Sequence, residues 1–344
     1  MQRSPLGKLH RAAEWLQKRW TAKAAILMYH RITEAEFDPW GLCVTPQHFA
    51  EHLNVIQQQA HPISLQDLVK AHQSGNIPDR AVVITFDDGY ADNLYHAKPL
   101  LEQHQIPATV FVTTGYLGQE REFWWDELER LLLTPGQLPE QLHLEINGSH
   151  HQWQLNGARH YSQQDYQNDR HRLAWEGEPG SRLALYFSIW QRLQPLPVVE
   201  QQNAIEQIRN WAGQDQSARA THRPLTPEEV CRLDQGNWVK VGAHTVHHLS
   251  LAAQTVEVQR QEIQQSKVEL EKLLNRPVNH FAYPFGDYGT DTPKVSQGLG
   301  LDCACSTVET TVWRHSDRFQ LPRFAIGNWT GAEFAKRLSR WFYG

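Results

Sequence analysis

The segment AVVITFDDGY, residues 81–90, is the strongest indication of the fold of this chain. Its first six residues form an apolar, β-branched run that is typical of a strand buried on both faces of a parallel sheet. The run ends directly in two adjacent carboxylates, Asp87 and Asp88, followed by Gly89. Catalytic groups of β/α barrels lie at this end of their strands. Asp and Gly alone are also typical of a helix cap or a turn. Other segments must therefore distinguish a catalytic site from a cap or turn.

Strands and helices alternate on both sides of this stretch. AAILMYH (24–30) and ATVFVTT (108–114) are predicted as further buried strands. Helix starts are predicted at Thr45, with Pro46 in the first helical position, and at Ser64. The same alternation returns in the last third of the chain, which indicates parallel β/α units.

These units predict an α/β fold, namely a distorted, incomplete (β/α)7-type barrel with a long insertion and added terminal helices. We expect one barrel domain over 25–344, interrupted at about 118–222, where the alternation breaks and Gln and Arg become frequent. Within this insertion, LHLEINGSHHQWQL predicts a hairpin, and two amphipathic helices are expected between 181 and 213.

Both chain ends have a basic amphipathic character. Residues 1–24 are predicted to form a basic helix, because residues 1–23 contain six Lys or Arg against one acid, with apolar residues at helical spacing. The C-terminal segment GAEFAKRLSRWFYG is similar. Such helices either cover the barrel or contact an anionic membrane surface, as a lipid-linked glycan would require. Because the sequence shows no secretory signal and no long apolar run, we expect a cytoplasmic protein, either free or peripherally bound to a membrane.

The composition narrows the class of partner. The chain has 344 residues, 40% of them hydrophobic, which is enough for a sizeable core. Its formal net charge is -5, whereas nucleic-acid-binding proteins usually carry an excess of basic residues, so no nucleic-acid partner is expected. The four cysteines match neither a disulfide framework nor a metal cage, and we interpret them as reduced thiols.

Another predicted strand, WVKVGAH (238–244), also runs into polar residues, as AVVITF does. His244 and His248 are four positions apart and can share one face of a turn. Together with Asp88 they form a facial set of two imidazoles and one carboxylate, which suits zinc, iron or cobalt and leaves positions open for water and substrate. His247 is a competing ligand in the same motif, and surface histidines are the alternative for such a pair alone.

Three motifs in order carry a resemblance to a known family. TFDDG (85–89), HTVHH (244–248) and FAYPFG (281–286) resemble the signature of the polysaccharide deacetylases of carbohydrate esterase family 4. The resemblance covers about 25–117 and 222–328 and leaves the insertion unexplained. It implies a hydrolase that removes an N-acetyl group from an amino-sugar unit of a polysaccharide, oligosaccharide or glycan precursor. It also implies a divalent metal ion, zinc first, with cobalt, nickel or iron as alternatives.

The resemblance implies a role for each matched residue. Asp87 corresponds to the catalytic base, and Asp88, His244 and His248 correspond to the metal ligands. Thr245 matches the position whose hydroxyl steadies the metal loop. In the implied mechanism, the base deprotonates the attacking water, and the products are acetate and a free amino sugar.

Three further residues receive roles from the same resemblance. Tyr283, in the third motif, corresponds to the segment that supplies a backbone N–H to the oxyanion. No Leu-x-His motif follows near the C-terminus, but AILMYHRI resembles the opening strand of biofilm poly-N-acetylglucosamine deacetylases, whose motif order is circularly permuted. This implies that His30 is the catalytic acid, the alternative being a strand-end cap. Arg323 is a candidate for orienting the base, the alternative being an ordinary ion pair.

Two other functions stay open at this point. One is deformylation or deacetylation of a lipid-linked or nucleotide-linked monosaccharide, which the absence of an export signal favours. The other is a catalytically silent sugar-binding module on the same fold. Within the insertion, Trp124 and Trp125 are either a stacking wall for a sugar ring or the buried start of a helix.

Overall fold

The computed structural model of this protein describes residues 22–343. Of the helix predicted over 1–24, residues 1–21 lie outside the described residues, and Ala24 belongs to the first strand instead. The strands in chain order are β1 (Ala24–Tyr29), β2 (Arg31–Ile32), β3 (Cys43–Val44), β4 (His61–Pro62), β5 (Ala81–Phe86), β6 (Ala108–Val112), β7 (Gly136–Gln137), β8 (Gln141–Ile146), β9 (Ser149–Gln154), β10 (His160–Tyr161), β11 (Val239–Ala243), β12 (His280–Ala282), β13 (Cys303–Cys305) and β14 (Phe324–Ala325). The α-helices are α1 (Pro46–Gln59), α2 (Leu65–Ser74), α3 (Lys98–His104), α4 (Trp124–Leu133), α5 (Gln163–Asp169), α6 (Arg182–Leu193), α7 (Val198–Ala212), α8 (Pro227–Asp234), α9 (Val256–Leu274), α10 (Thr292–Gly298) and α11 (Gly331–Tyr343).

One curled parallel sheet organises the fold. Its strands follow the order β13-β12-β11-β6-β5-β1-β14, and β4 pairs with the first half of β5. All pairings along this path are parallel. Cys305 at the end of β13 forms a bridge with Leu321, shortly before β14, so the two edges of the curled sheet approach each other. The prediction of an α/β fold with an incomplete barrel is therefore confirmed as a half-barrel.

The register of the central strands places their carboxyl ends side by side. β1 and β5 are buried along all six residues each, as continuous apolar runs in a covered parallel sheet require. Tyr29 pairs with Phe86, so His30 and Asp87 leave the sheet next to each other. β11 ends one residue before His244, at the same edge of the sheet.

Local capping signals define the helix starts. The Thr45 side chain accepts the His48 N–H, and Pro46 opens α1 as predicted. Ser64 caps α2 in the same way, and Gly75 ends that helix in the left-handed conformation. These predicted helix boundaries are confirmed. They could be predicted because each signal lies within a few residues of the helix end that it determines.

The segment between β6 and α8 builds a second hydrophobic core beside the barrel. Its predicted hairpin is confirmed as β8 and β9, joined at Asn147 and Gly148, which both adopt positive φ. The two predicted amphipathic helices are α6 and α7. Phe37 and Tyr90, from segments of the barrel, belong to the same core. The insertion is thus packed directly onto the barrel.

The C-terminal helix α11 turns its apolar side towards the barrel. Phe334 and Leu338 are buried, and Phe334 stacks on His52 of α1 with ring centroids 4.3 Å apart. Trp341 stacks on Phe324 at the same centroid distance, 4.3 Å. Among the helices of residues 22–343, none has the length and apolar character needed to cross a membrane.

Candidate active site

A cavity of about 280 Å³ lies at the carboxyl edge of the sheet. Five residues predicted from the sequence line it together: His30, Asp87, Asp88, His244 and His248. They come from three different strand ends, which the parallel register brings to one place. Four of the five, all except His30, are almost fully buried.

Asp88, His244 and His248 form a candidate metal group. The Asp88 Oδ1 atom lies 3.5 Å from His244 Nε2 and 3.2 Å from His248 Nε2. One ligand atom from each residue lies within 4.8 Å of the others. His244 Nδ1 is 2.8 Å from the Ala282 carbonyl oxygen, a contact that requires Nδ1–H and leaves the Nε2 lone pair for a ligand. Two imidazoles and a carboxylate fit a divalent ion of the zinc type.

Besides the contact of its Nε2 atom with Asp88, the His248 ring is held by packing. Its Nδ1 atom is buried without a hydrogen-bond partner among the described residues. The ring lies between Trp125 and Phe285, with centroid distances of 4.6 and 4.5 Å. Burial lowers the pKa of His248, although the carboxylate of Asp88 opposes the shift. The neutral imidazole that results is the form that binds a metal.

The backbone around the cavity adopts conformations that are rare outside glycine. Asp88, Thr245, His248 and Phe285 have φ values of 72°, 63°, 56° and 58°. Each such residue costs about 1–3 kcal/mol, and such costs cluster at functional sites. The Thr245 hydroxyl accepts the His248 N–H at 2.9 Å, so it holds the ligand loop at the position that the resemblance implied.

His247, the competing ligand, lies outside the metal group. Its Nδ1 atom is 2.7 Å from Glu262 Oε1, on helix α9. The other oxygen of Glu262 accepts the N–H groups of Val246 and His247 at 3.0 and 2.9 Å. Glu262 therefore anchors the ligand loop to α9. No local signal in the sequence identified this role, because the two segments meet only in the folded chain.

Arg323 lies against the carboxylate of Asp87. Its two terminal nitrogens donate to the two carboxylate oxygens, each at 2.7 Å, and both side chains are buried. The guanidinium also donates to the Ser306 carbonyl at 2.9 Å and to Thr85 Oγ1 at 3.2 Å. Burial alone would raise the pKa of Asp87, but the Arg323 charge outweighs it and lowers that pKa. Asp87 is therefore held ionised and in a fixed orientation.

The structure corrects the role expected for Tyr283. Its backbone N–H donates to the Cys305 carbonyl at 3.0 Å, because β12 continues its pairing with β13 one residue beyond Ala282. This N–H is therefore occupied within the sheet. The next turn brings Phe285 and Gly286 to the cavity, and the Gly286 N–H donates back to the Tyr283 carbonyl at 2.8 Å. Phe285 is left as the candidate backbone donor of this motif.

Aromatic side chains line the cavity beside the polar groups. They are Trp40, Trp125, Trp190 and Phe285. Trp125 is the buried start of α4, which is one of the two interpretations of its sequence position, and it also lines the cavity. Its Nε1–H donates to the Tyr90 hydroxyl at 2.9 Å. Sequence reasoning missed Trp40 and Trp190. Trp190 lies within the apolar helix α6, where a tryptophan is indistinguishable from core packing, and Trp40 lies in a turn that carries no motif.

The fold and the site together indicate an α/β half-barrel protein with a candidate metal site of two histidines and one carboxylate at the carboxyl edge of its sheet. The family model described as "Polysaccharide deacetylase" matches residues 74–173 and 201–304, which is more than half of the chain. The chain belongs to the polysaccharide deacetylase family.

Curated relatives match shorter parts of the chain. The poly-beta-1,6-N-acetyl-D-glucosamine N-deacetylase of Staphylococcus aureus is 28% identical over 110 residues, covering 28% of this chain and 38% of the relative. The Bacillus subtilis protein YxkH is 26% identical over 138 residues, covering 39% of this chain and 48% of the relative. The chain thus spans less than half of the length of these curated relatives.

Solved structures share the fold over nearly the whole chain. The Streptococcus pyogenes deacetylase PplD, solved in complex with acetate, has a TM-score of 0.57 at 19% identity, covering 92% of this chain and 99% of that chain. IcaB from Ammonifex degensii has a TM-score of 0.58 at 14% identity, covering 94% of this chain and 98% of that chain. At these identities the likeness shows the fold alone.

Proposed function

We propose that this protein is a metal-dependent hydrolase that removes an N-acetyl group from an amino-sugar unit of a glycan. The observation that carries the proposal is the single cavity in which Asp88, His244 and His248 converge beside the ionised Asp87. Membership of the polysaccharide deacetylase family supports carbohydrate deacetylation as the reaction. The S. aureus relative, whose name specifies an N-acetyl-D-glucosamine polymer, supports an N-acetylated amino sugar as substrate.

Asp88, His244 and His248 would hold the metal ion. Zinc is the first expectation, and cobalt, nickel or iron suit the same donors. When bound, the ion supplies a Lewis acid that polarises the acyl carbonyl and acidifies a water. The buried ligand atoms and the Ala282 contact of His244 already orient the donors, so little reorganisation is needed on binding.

Asp87 takes the proton from the attacking water. Each of its carboxylate oxygens accepts one hydrogen bond from Arg323, and each retains a further lone pair for the water. Arg323 keeps the carboxylate charged and fixes its direction. Arg323 is thus a positioning residue, because its nitrogens face Asp87, Thr85 and the Ser306 carbonyl rather than the cavity.

His30 protonates the leaving amine. It follows β1, lies beside Asp87 at the edge of the sheet, and lines the same cavity. Its carbonyl accepts the Asn93 side-chain N–H at 2.8 Å, which fixes the backbone of this residue. An imidazole at the cavity wall is a common general acid, and His30 lies outside the candidate metal group.

The test measures metal content, sugar binding and the release of acetate or formate. The substrates are N-acetylglucosamine oligosaccharides and N-acetylated or N-formylated monosaccharides linked to a nucleotide or a lipid. Three variants separate the roles: Asp87→Asn, His30→Ala and His248→Ala. His143→Ala is the matched control, because this histidine is exposed on β8 and does not line the cavity. We expect all three variants to lose acetate release by at least about a hundredfold. Only His248→Ala should also lose the metal, and the control should keep both.

Two outcomes would contradict the proposal. A wild type that binds sugar without metal and without acetate release would identify a silent sugar-binding module. Release of formate, or activity confined to nucleotide-linked or lipid-linked monosaccharides, would assign the alternative deformylase or precursor deacetylase. Unchanged turnover in His30→Ala would remove His30 from the mechanism and leave the remaining assignments in place.

A further inference from the structure

Aromatic side chains continue from the cavity towards the protein surface. Phe285 lies 5.8 Å from Trp190, and Trp190 lies 4.4 Å from Trp40, measured between ring centroids. From Trp40 the next rings are Phe187 at 6.1 Å and Trp175 at 6.2 Å. We call Trp40, Trp175, Phe187 and Trp190 the aromatic strip.

The aromatic strip becomes more exposed with distance from the cavity. Trp40, Phe187 and Trp190 are half-buried, whereas Trp175 is 53% exposed. A single exposed aromatic side chain is ordinary. Four adjoining rings that lead out of the cavity, three half-buried and one exposed, are different, because contiguous accessible apolar surface is typical of a binding site.

The strip lies outside the part of the chain that the family model matches. Trp175, Phe187 and Trp190 all fall between the two matched segments, 74–173 and 201–304, and Trp40 precedes the first. The common family pattern therefore does not account for these residues. They are a feature through which this chain can recognise its own substrate.

The rings of the strip are held in place before any ligand arrives. Trp40 donates its Nε1–H to the Tyr186 hydroxyl at 2.6 Å. Trp190 stacks on the buried Trp124, with ring centroids 6.0 Å apart and an angle of 26° between the planes. A fixed flat surface binds a ligand without the cost of ordering its own side chains.

We propose that the aromatic strip is a subsite for sugar units adjoining the one that is deacetylated. This inference rests on the proposed function and adds that the substrate is an oligosaccharide or polymer. A pyranose ring presents an apolar C–H face that stacks on an indole, while its hydroxyl groups remain in water. Aromatic rings rather than aliphatic side chains form the path, which favours a sugar over a lipid chain.

The charged rim around Trp175 supports the same ligand. Arg172 and Glu178 form an ion pair at 3.5 Å. Glu176, next to Trp175, accepts the Leu173 N–H through its carboxylate at 2.8 Å. Charged and hydrogen-bonding groups beside a half-exposed ring suit a hydrated ligand with many hydroxyl groups, whereas a hydrocarbon chain would have to desolvate them.

The experiment measures binding without turnover. Isothermal titration calorimetry is carried out on the full, metal-loaded Asp87→Asn protein. The ligands are β-1,6- and β-1,4-linked N-acetylglucosamine oligomers of one to four units and an alkyl glycoside of N-acetylglucosamine. Trp175→Ala and Phe187→Ala are introduced into this background. Tyr343→Ala is the matched control, since Tyr343 is an aromatic residue 69% exposed on α11, outside the strip.

We expect oligomers to bind more tightly than the single sugar. Each strip variant should weaken oligomer binding about three- to tenfold, as the loss of one aromatic stacking contact predicts. The control should bind all ligands like its parent. If Asp87→Asn fails to fold, the same series is measured on the wild type with deacetylated glucosamine oligomers, which cannot react.

Two results would overturn the subsite. The first is an oligomer affinity that is equal to the single-sugar affinity, or that is unchanged in both strip variants. The second is a strip-dependent gain from an alkyl chain on the sugar, which would assign the strip to lipid. Because binding is read without turnover, failure of acetate release would defeat the proposed function separately from this result.

Discussion

Substitutions at Asp87 and Arg323 are predicted to be strongly coupled: their effects on the free energy of unfolding should not add, and each alone should abolish activity. Arg323→Met removes the guanidinium and leaves a buried carboxylate with no opposite charge. The structure gives this pair two hydrogen bonds of 2.7 Å between side chains that are 0% and 3% exposed. Removing one partner of such a buried pair costs about 3–5 kcal/mol in the free energy of unfolding.

The double variant should cost much less than the sum of its parts. Asp87→Asn leaves the guanidinium facing a neutral amide and costs about 3 kcal/mol by the same argument. With both charges removed, no buried ion is left without a partner, so the double variant should resemble either single variant. The interaction energy between Asp87 and Arg323 is then about 3 kcal/mol, well above the few tenths expected for independent sites.

Urea unfolding followed by tryptophan fluorescence measures these free energies in a double-mutant cycle. Arg80→Met is the control for removing an arginine, because the Arg80 side chain is 47% exposed and pairs with an 80% exposed Asp79. It should change the free energy by less than about 1 kcal/mol. Acetate release should be lost in both single variants and in the double variant. Additive free energies, within about 0.5 kcal/mol, would refute the coupling.

Three further predictions concern the ligand loop and the barrel. Glu262→Ala should weaken metal binding about 10- to 100-fold in chelator competition, because it frees the loop from α9. Glu262→Gln keeps one acceptor oxygen for the Val246 and His247 N–H groups and should lose less. Thr245→Val should lower the free energy of unfolding by about 1–3 kcal/mol, since the buried His248 N–H loses its acceptor, while Thr245→Ser should not. Burial lowers the pKa of His52 to about 4, so the unfolded chain takes up this proton first as the pH falls. The contribution of neutral His52 to the free energy of unfolding is complete above about pH 6.5, and up to about 3 kcal/mol of it is lost as the pH falls towards 4. His52→Gln should make this decline smaller, as measured by thermal melts at successive pH values.

Much of the fold was predictable because its signals are local. An apolar run that ends in Asp87 and Asp88 needs no distant partner to be interpreted as a buried strand with polar groups at its end. Thr45 and Ser64 act on helices that begin at the next residue. Parallel pairing then brings strand ends to one edge, so the proximity of Asp88 and His244 followed from the fold class itself.

Other parts of the site depended on contacts between distant segments. Glu262 reaches the ligand loop from α9, and Arg323 reaches Asp87 from a segment 236 positions away. The resemblance suggested the second contact, but nothing in the neighbouring sequence of either residue requires it. A buried charge acquires its partner only when the sheet has curled and both groups have left water.

The strand and helix pattern, the incomplete-barrel class and the polar residues that meet in the cavity could be predicted from the chain alone, because short-range periodicity and motifs specify them. The folded structure was needed to show that the Tyr283 N–H is occupied by Cys305 and that Trp40 and Trp190 line the cavity. Strand register sets the first and helix packing sets the second. Both are properties of how distant segments fit together, and neither leaves a pattern among neighbouring residues.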